Sequence, residues 1–398
     1  MPTTIRIPQN DREARAALAA LAARSKLDVR GGRIRRSSSR FCLGVEHGDY
    51  NGTELFGVGT DRFIWMAYKP NESGRVRLFS GNFPGDGVVA FTPGEVPPPK
   101  SVPDSWARFP FGVDFILRRA GFPTARGFDA VLIGNIPGGG MSRSASLALN
   151  LILTVLEVNG AKPAGDLQVV DLAQAVENDY IGSPCGQLDQ IMILFARAGM
   201  GTHYNPATRS VKHVKLGPGA PDFRIVSLDT GTVRPGLEKS TYKVRRAECE
   251  ELAFLAGPEF GIRALAGVKT DAMYRGILDR FGATHAGHCA RLTYIFHAQR
   301  RFNRMLRAWK AGDVETVGAI FRQDGLGLRD DYRISGPELE TMCDIVRTVP
   351  GVLGERMLGG GDKGASGALA KPSAVKALRA AVATAYPRAY PALKDRFA

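Results

Sequence analysis

Phe128-Asp129-Ala130-Val131-Leu132-Ile133-Gly134-Asn135-Ile136-Pro137-Gly138-Gly139-Gly140-Met141-Ser142-Arg143-Ser144-Ala145-Ser146 carries the reading of the fold. Residues 128–133 form a short apolar strand, and 134–140 are rich in glycine. From Ser142 to Val158, Ser, Ala, Leu and Ile recur with helical periodicity. Strand, glycine loop and helix in that order make a candidate phosphate site. Gly138, Gly139 and Gly140 let backbone N–H groups approach phosphate oxygens without a Cβ in the way. The helix start adds unsatisfied N–H groups and the positive end of its dipole. Ser142 and Ser144 can reach a magnesium ion there. The loop is not a GxxxxGK[ST] P-loop, and its spacing is not GxGxxG. A structural turn with a serine cap is the competing reading.

Upstream, alanine and leucine spacing predicts a helix over 10–27. A Gly/Arg/Ser loop at 31–39 then enters a strand. Residues 62–68 and 75–80 flank Pro70-Asn71-Glu72-Ser73-Gly74 and read as a hairpin. The proline-rich 91–103 is irregular, and a helix at 105–120 stops at Gly121 and Pro123. Downstream, helices are expected at 168–180 and 185–196, with a crossing between domains at 210–221. The second half reads as a strand at 223–228, several long helices between 238 and 347, a strand near 356–358, and a last helix from Pro372. The pattern is an α+β fold of two domains, 1–212 and 213–398.

The 398 residues suffice for two domains and a sizeable core. Apolar residues make up 44% and charged residues 23%, an ordinary globular balance. The formal charge of +14 raises nucleic acid, an anionic membrane or an anionic substrate as partners. The Lys and Arg residues are scattered, however. The densest run, Arg30 to Arg40, lacks the interleaved aromatics of a single-strand-binding face. A solvated basic surface with one anion site fits better than nucleic-acid binding. The five cysteines are far apart and form no CxxC pair, which argues against a disulfide framework or zinc site and suits a reducing cytoplasm. Charges run through the apolar N-terminal stretch, as in an amphipathic helix rather than a signal peptide. No apolar run is long enough to span a membrane.

Three further constellations carry chemistry. Arg40-Phe41-Cys42-Leu43-Gly44-Val45-Glu46-His47-Gly48-Asp49-Tyr50-Asn51-Gly52 crowds Glu, His and Asp beside a turn, a set able to bind the hydroxyls of a polyol, or simply a solvated turn. Cys185-Gly186-Gln187-Leu188-Asp189-Gln190 opens an apolar helix. Asp189 there either complements the helix dipole or is poised to orient or deprotonate a hydroxyl. Leu358-Gly359-Gly360-Gly361-Asp362-Lys363-Gly364 is a second glycine-rich turn. It either lines a cleft opposite the first loop or is a tight turn between strands.

In order, these segments resemble galactokinases of the GHMP kinase superfamily. The family signature GRxNLIGEHTDYNGG is similar to 40–52, PxGAGLSSSAS to 137–146, and CGIMDQ to 185–190. SEYxxRRxxCE resembles 240–250, SLRDDYxVSxPELD resembles 328–339 around Arg329-Asp330-Asp331-Tyr332, and RMxGGGFGG resembles 356–364. The resemblance implies a two-domain GHMP-type fold with its active site in the cleft between the domains. It also implies an ATP- and Mg²⁺-dependent kinase acting on the anomeric hydroxyl of galactose. Arg40 then lies near the transferred phosphate, and Asp189 is the proposed base. Glu46, His47, Asp49, Gly186 and Tyr242 contact the sugar. Gly138, Gly139, Gly140, Ser142, Arg143 and Ser144 hold the nucleotide, Ser144 reaches magnesium, and Trp106 lies near adenine.

Five departures stand out. The phosphate loop is one residue short, Arg143 stands where serine is usual, Gly48 where threonine is usual, Asp362-Lys363 where Phe-Gly is usual, and Phe41-Cys42-Leu43-Gly44-Val45 where Val-Asn-Leu-Ile-Gly is usual. A related sugar (galacturonate, N-acetylgalactosamine or arabinose) and a non-catalytic sugar and ATP sensor are the alternative readings. The arginines of 30–40 would suit an anionic sugar.

Overall fold

The structure is a computed structural model and describes residues 6–233 and 239–398. Residues 1–5 of the N-terminal stretch and position 238, where the helical second half was expected to begin, lie outside the described residues. Two compact units share the chain. The first comprises Met1–Ser39, Thr60–Ile136 and Ser142–Leu194, and the second Arg40–Gly59, Pro137–Met141 and Phe195–Ala398.

In the first unit, helix α1 (Asp11–Ser25) starts where the Asn10 side chain accepts from the Glu13 N–H at 2.9 Å. It ends at Lys26 in the left-handed conformation. Ala14, Ala17, Leu18, Leu21 and Ala22 share one face and bury against Trp65, Ala67, Phe79, Val131 and Ile133. Those partners come from strands β2 (Leu55–Pro70), β3 (Val76–Ser80) and β5 (Phe128–Gly134), with β1 (Arg33–Gly44) and β4 (Val88–Phe91) completing the set. The order is β4-β3-β5-β2.

Two sequence expectations change here. Strands β2 and β3 exist, but they do not form a hairpin, because β5 lies between them, antiparallel to β2 and parallel to β3. Every residue of β5 is buried, so it takes a central place where both its edges are paired. Its one charged residue, Asp129, accepts from Arg77 at 2.8 and 2.6 Å, Asn71 Nδ2 at 2.7 Å and the Asp28 N–H at 3.0 Å. The expected loop at 31–39 is instead strand from Arg33 onward. Its polar side chains are accommodated because Arg33 and Arg35 reach Glu157 and the Ser37 hydroxyl donates to the Ser146 carbonyl at 2.9 Å. The helices of this unit are α2 (Arg108–Arg119), α3 (Arg143–Val158), α4 (Asp166–Ala175) and α5 (Leu188–Leu194). Helix α3 packs against the other three. Between α4 and α5 the helix widens into a π-helical turn, Val176–Ile181.

In the second unit, β6 (Met200–Asn205) and β7 (Ser210–Lys215) form an antiparallel pair, and the start of β2 joins β6 with Leu55 opposite Tyr204. The expected crossing at 210–221 is therefore partly strand, held where the Trp309 indole N–H donates to the Val214 carbonyl at 3.0 Å. Strand β8 (Arg224–Asp229) is followed by helices α6 (Thr241–Phe260), α7 (Asp271–Phe281), α8 (Ala286–Ala311), α9 (Val314–Asp330) and α10 (Pro337–Arg347). Strands β9 (Val352–Met357) and β10 (Ala365–Ala370) and helix α11 (Val375–Ala389) close the chain. The antiparallel sheet β8-β10-β9 buries Leu228, Ala368 and Ala370 against Met342 and Val346 of α10 and Leu378, Val382 and Tyr386 of α11.

Candidate active site

The second unit carries Arg40, Glu46, His47, Asp49, Gly138, Gly139, Gly140 and Tyr242. Arg40 and Glu46 are buried, and their nearest side-chain atoms are 3.9 Å apart. Arg40 also donates to the Gly140 carbonyl at 2.7 Å, which ties the 40–52 segment to the glycine loop. Arg356 donates from Nη2 to Glu46 Oε2 at 2.7 Å and to the Cys42 carbonyl at 2.9 Å. Burial works against the Arg356 charge, yet Cys42, Glu46, Tyr294 and Asp324 hold its pKa above the ordinary value. Glu46 thus sits in a matched, buried ion-pair network.

His47 adopts φ 60° and is buried. Asn51 Nδ2 donates to the His47 carbonyl at 2.8 Å, and His47 Nδ1 lies 2.9 Å from the Tyr50 hydroxyl. Tyr332 is the hub beneath. Its hydroxyl is 2.7 Å from that of Tyr50, 3.3 Å from Asn51 Nδ2 and 3.2 Å from Cys249 Sγ. Burial pushes the Tyr50 and Tyr332 hydroxyls well above the usual phenol range, so both remain neutral hydrogen-bonding groups. Tyr242, near the start of α6, brings its ring within 5.4 Å of both His47 and Tyr50. Asp49 is half-buried and exerts its charge on Arg246. Gly48 has a local reason. A Cβ there would stand 2.0 Å from Thr53 Oγ1, so the Thr53 hydroxyl takes the space a side chain at 48 would need.

The second glycine-rich turn joins β9 to β10, and it packs directly against the first loop. A Cβ on Gly139 would lie 2.4 Å from Gly364 Cα, and one on Gly140 2.9 Å from the Leu358 carbonyl. Gly138 has open space around it.

The first unit carries Ser142, Arg143, Ser144, Gly186, Asp189 and Trp106. Ser142 caps α3 with φ 57°, and its buried hydroxyl has no hydrogen-bond partner among the described residues. Arg143 opens α3 and places its guanidinium 5.2 Å from the Phe83 ring centroid, a cation–π contact. Ser144 donates to the carboxylate of Glu177, which lies in the π-helical turn. Glu177 also accepts from Gln190 Nε2 at 2.8 Å, with Cys185 Sγ at 3.8 Å. Burial pushes the Glu177 pKa up to about 7, and the charge of Asp189 adds to the rise. Asp189 is in the first turn of α5. The preceding loop is held by Asn178, whose side chain pairs with the Cys185 N–H at 2.8 Å and carbonyl at 3.1 Å, and by Gln174, which donates to that carbonyl at 3.1 Å. That loop buries Gly186. Trp106 precedes α2 and is 5% exposed, and its indole N–H has no hydrogen-bond partner among the described residues. No hydrogen bond joins it to the Glu177 cluster.

Glu177 was not singled out from the sequence, and its signal was faint. It follows Val169, Val170, Ala173 and Val176, all buried, and so falls on the inward stripe of its helix. Tyr332 and Arg356 belonged to motifs without an assigned role. Among the described residues, no cluster of three or more His, Cys, Asp and Glu side chains forms a metal site.

The family model for the GHMP kinases N terminal domain matches residues 111–197, a stretch that holds the start of α3, Glu177 and Asp189. The fold itself is shared more widely. The mevalonate kinase of Methanococcus jannaschii superposes with a TM-score of 0.59 at 15% identity, covering 89% of this chain and 95% of that one. Within the class the likeness is closer. The galactokinase of Limosilactobacillus fermentum is 31% identical over 345 residues, 86% of this chain and 86% of its own. That of Chloroflexus aurantiacus is 31% identical over 361 residues, 89% of this chain and 88% of its own. The crystal structure of Lactococcus lactis galactokinase complexed with galactose gives a TM-score of 0.86 at 29% identity, covering 95% of each chain. The chain belongs to the galactokinase family.

Proposed function

We propose that the chain transfers the γ-phosphoryl group of ATP to the anomeric hydroxyl of galactose. One observation carries the mechanism: Glu177 is buried beside Ser144, and burial first, with the charge of Asp189 adding to it, pushes its pKa up to about 7. A buried carboxylate whose charge is disfavoured fits a site that receives a cation. Ser144 and Glu177 offer the hard oxygen donors that Mg²⁺ prefers. When bound with ATP, Mg²⁺ supplies neutralisation of phosphate charge. Asp189 accepts the proton of the attacking hydroxyl or fixes its direction. Amides of the glycine loop and Arg40 stabilise negative charge on the transferred group. Glu46, His47, Asp49, Gly186 and Tyr242 form the sugar contacts, and Arg143 and Ser142 lie on the phosphate side. The Trp106 indole N–H is a ready donor on the nucleotide side.

The anionic-sugar alternative loses its support. Arg33 and Arg35 pair with Glu157, Arg36 with Asp11 and Arg30 with Asp28. No helix among the described residues is long and apolar enough to cross a membrane. All five cysteines are free and buried, and we place the protein in the reducing cytoplasm. The test is ADP release from ATP and Mg²⁺ with galactose, galacturonate, N-acetylgalactosamine and arabinose. Galactose is expected to give the highest kcat/KM. Sugar or ATP binding without ADP release from any of them would replace the kinase with a sensor.

A further inference from the structure

Asp362 occupies a turn position with φ 58°, a conformation a non-glycine residue holds only when its surroundings fix it. Three contacts do so. Its N–H donates to the Ile334 carbonyl at 2.8 Å. Its own carbonyl lies against Gly336, where an added Cβ would approach to 1.9 Å. Its carboxylate oxygen Oδ2 accepts from the Thr241 N–H at 2.6 Å. Thr241 is the first residue of α6. An N–H at that position has no partner inside the helix, and an anion there also meets the positive end of the helix dipole. The next residue is Tyr242, 6% exposed, with its ring against His47 and Tyr50. Lys363 turns to Glu338 at 3.8 Å.

We propose that Asp362 is a positioning residue for sugar recognition: its carboxylate anchors the first turn of α6 and thereby holds Tyr242 against His47. The aspartate touches no reacting atom and does not serve the nucleotide, although it stands in the glycine-rich turn. The inference rests on the reading of Tyr242 as a sugar contact.

The test is steady-state kinetics of Asp362→Ala, Asp362→Asn and Tyr242→Ala, with galactose and ATP varied separately and folding checked by thermal melting. Loss of a helix cap of this kind raises the galactose KM of Asp362→Ala about three- to tenfold. The ATP KM and kcat are expected to stay within about twofold of wild type. Asp362→Asn keeps an acceptor oxygen and recovers most of the galactose KM. A rise in the ATP KM for Asp362→Ala would overturn the proposal in favour of a nucleotide contact. If Tyr242→Ala raises the galactose KM while Asp362→Ala matches wild type, the anchor is rejected and the sugar site stands. An unchanged galactose KM in Tyr242→Ala would reject the sugar-site reading itself, and the anchor with it.

Discussion

The 40–52 segment and the 177–190 segment both bury carboxylates, but they treat them differently. Glu46 is matched: Arg356 donates to it at 2.7 Å, and Arg40 stands 3.9 Å away. Glu177 receives hydrogen bonds from Ser144 and Gln190 but feels the like charge of Asp189, and its pKa rises to about 7. The first arrangement is complete within the protein. It suits a rigid surface for a neutral polyol, whose hydroxyls need fixed partners rather than net charge. The second is not balanced in the same way, and under the proposed function a cation would complete it. Recognition and chemistry thus differ in where their charges are balanced.

Removing chemistry from the second region should have the largest effect. Asp189→Asn is expected to lower kcat about 10²–10⁴-fold while melting like wild type. Retained turnover in a single-turnover assay would remove Asp189 as base or essential orienter.

Breaking the matched region should cost stability. Arg356→Met leaves Glu46 buried without its close partner and is expected to destabilise the protein by about 3–5 kcal/mol in urea unfolding. A loss below about 1 kcal/mol would show that Arg40 alone balances Glu46.

The unfinished region should show the opposite sign. The folded-state pKa of Glu177, about 7, exceeds the ordinary 4.5, so the folded protein binds more protons between those values. Stability from this group is full below about pH 4.5 and is lost as the pH rises through 7. In the ligand-free protein, Glu177→Gln removes that slope and stabilises at pH 8 by about 2–3 kcal/mol. Unfolding curves from pH 5 to pH 8 check it, and a mutant that follows the wild-type pH profile would sink the idea. Mg²⁺ with ATP should raise the wild-type melting temperature more at pH 8 than at pH 6, since the cation displaces a proton.

The smallest effect sharpens the first region. Tyr332→Phe removes the hydroxyl that joins Tyr50, Asn51 and Cys249. It is expected to raise the galactose KM by a factor matching about 1 kcal/mol and to leave the ATP KM unchanged. Equal changes in both constants would mean a general loosening instead.

Much of this was legible in the chain. The strand–glycine–helix order at 128–158 was legible as a candidate phosphate site, and six motifs in order carried the resemblance to galactokinases, because motif residues are local and their spacing survives unaligned reading. Helix α1 was legible from its apolar spacing, and its boundaries follow from Asn10 and Lys26. The pairing of β2 with β5 was not, since a hairpin and an inserted strand share the same local signals and only burial of all of β5 decides between them. Nor was Glu177, one glutamate in an apolar helix whose meaning depends on Ser144, far away in sequence, reaching it.

The sequence by itself determined the family and the reaction class, because the family's motifs lie in short runs whose composition is unusual wherever it occurs. Tertiary structure alone decided how charge is distributed. Whether a buried carboxylate is balanced by an arginine 310 positions away, as Glu46 is by Arg356, or has its charge disfavoured beside a second carboxylate, as Glu177 has, depends on which distant segments the fold brings within hydrogen-bonding distance.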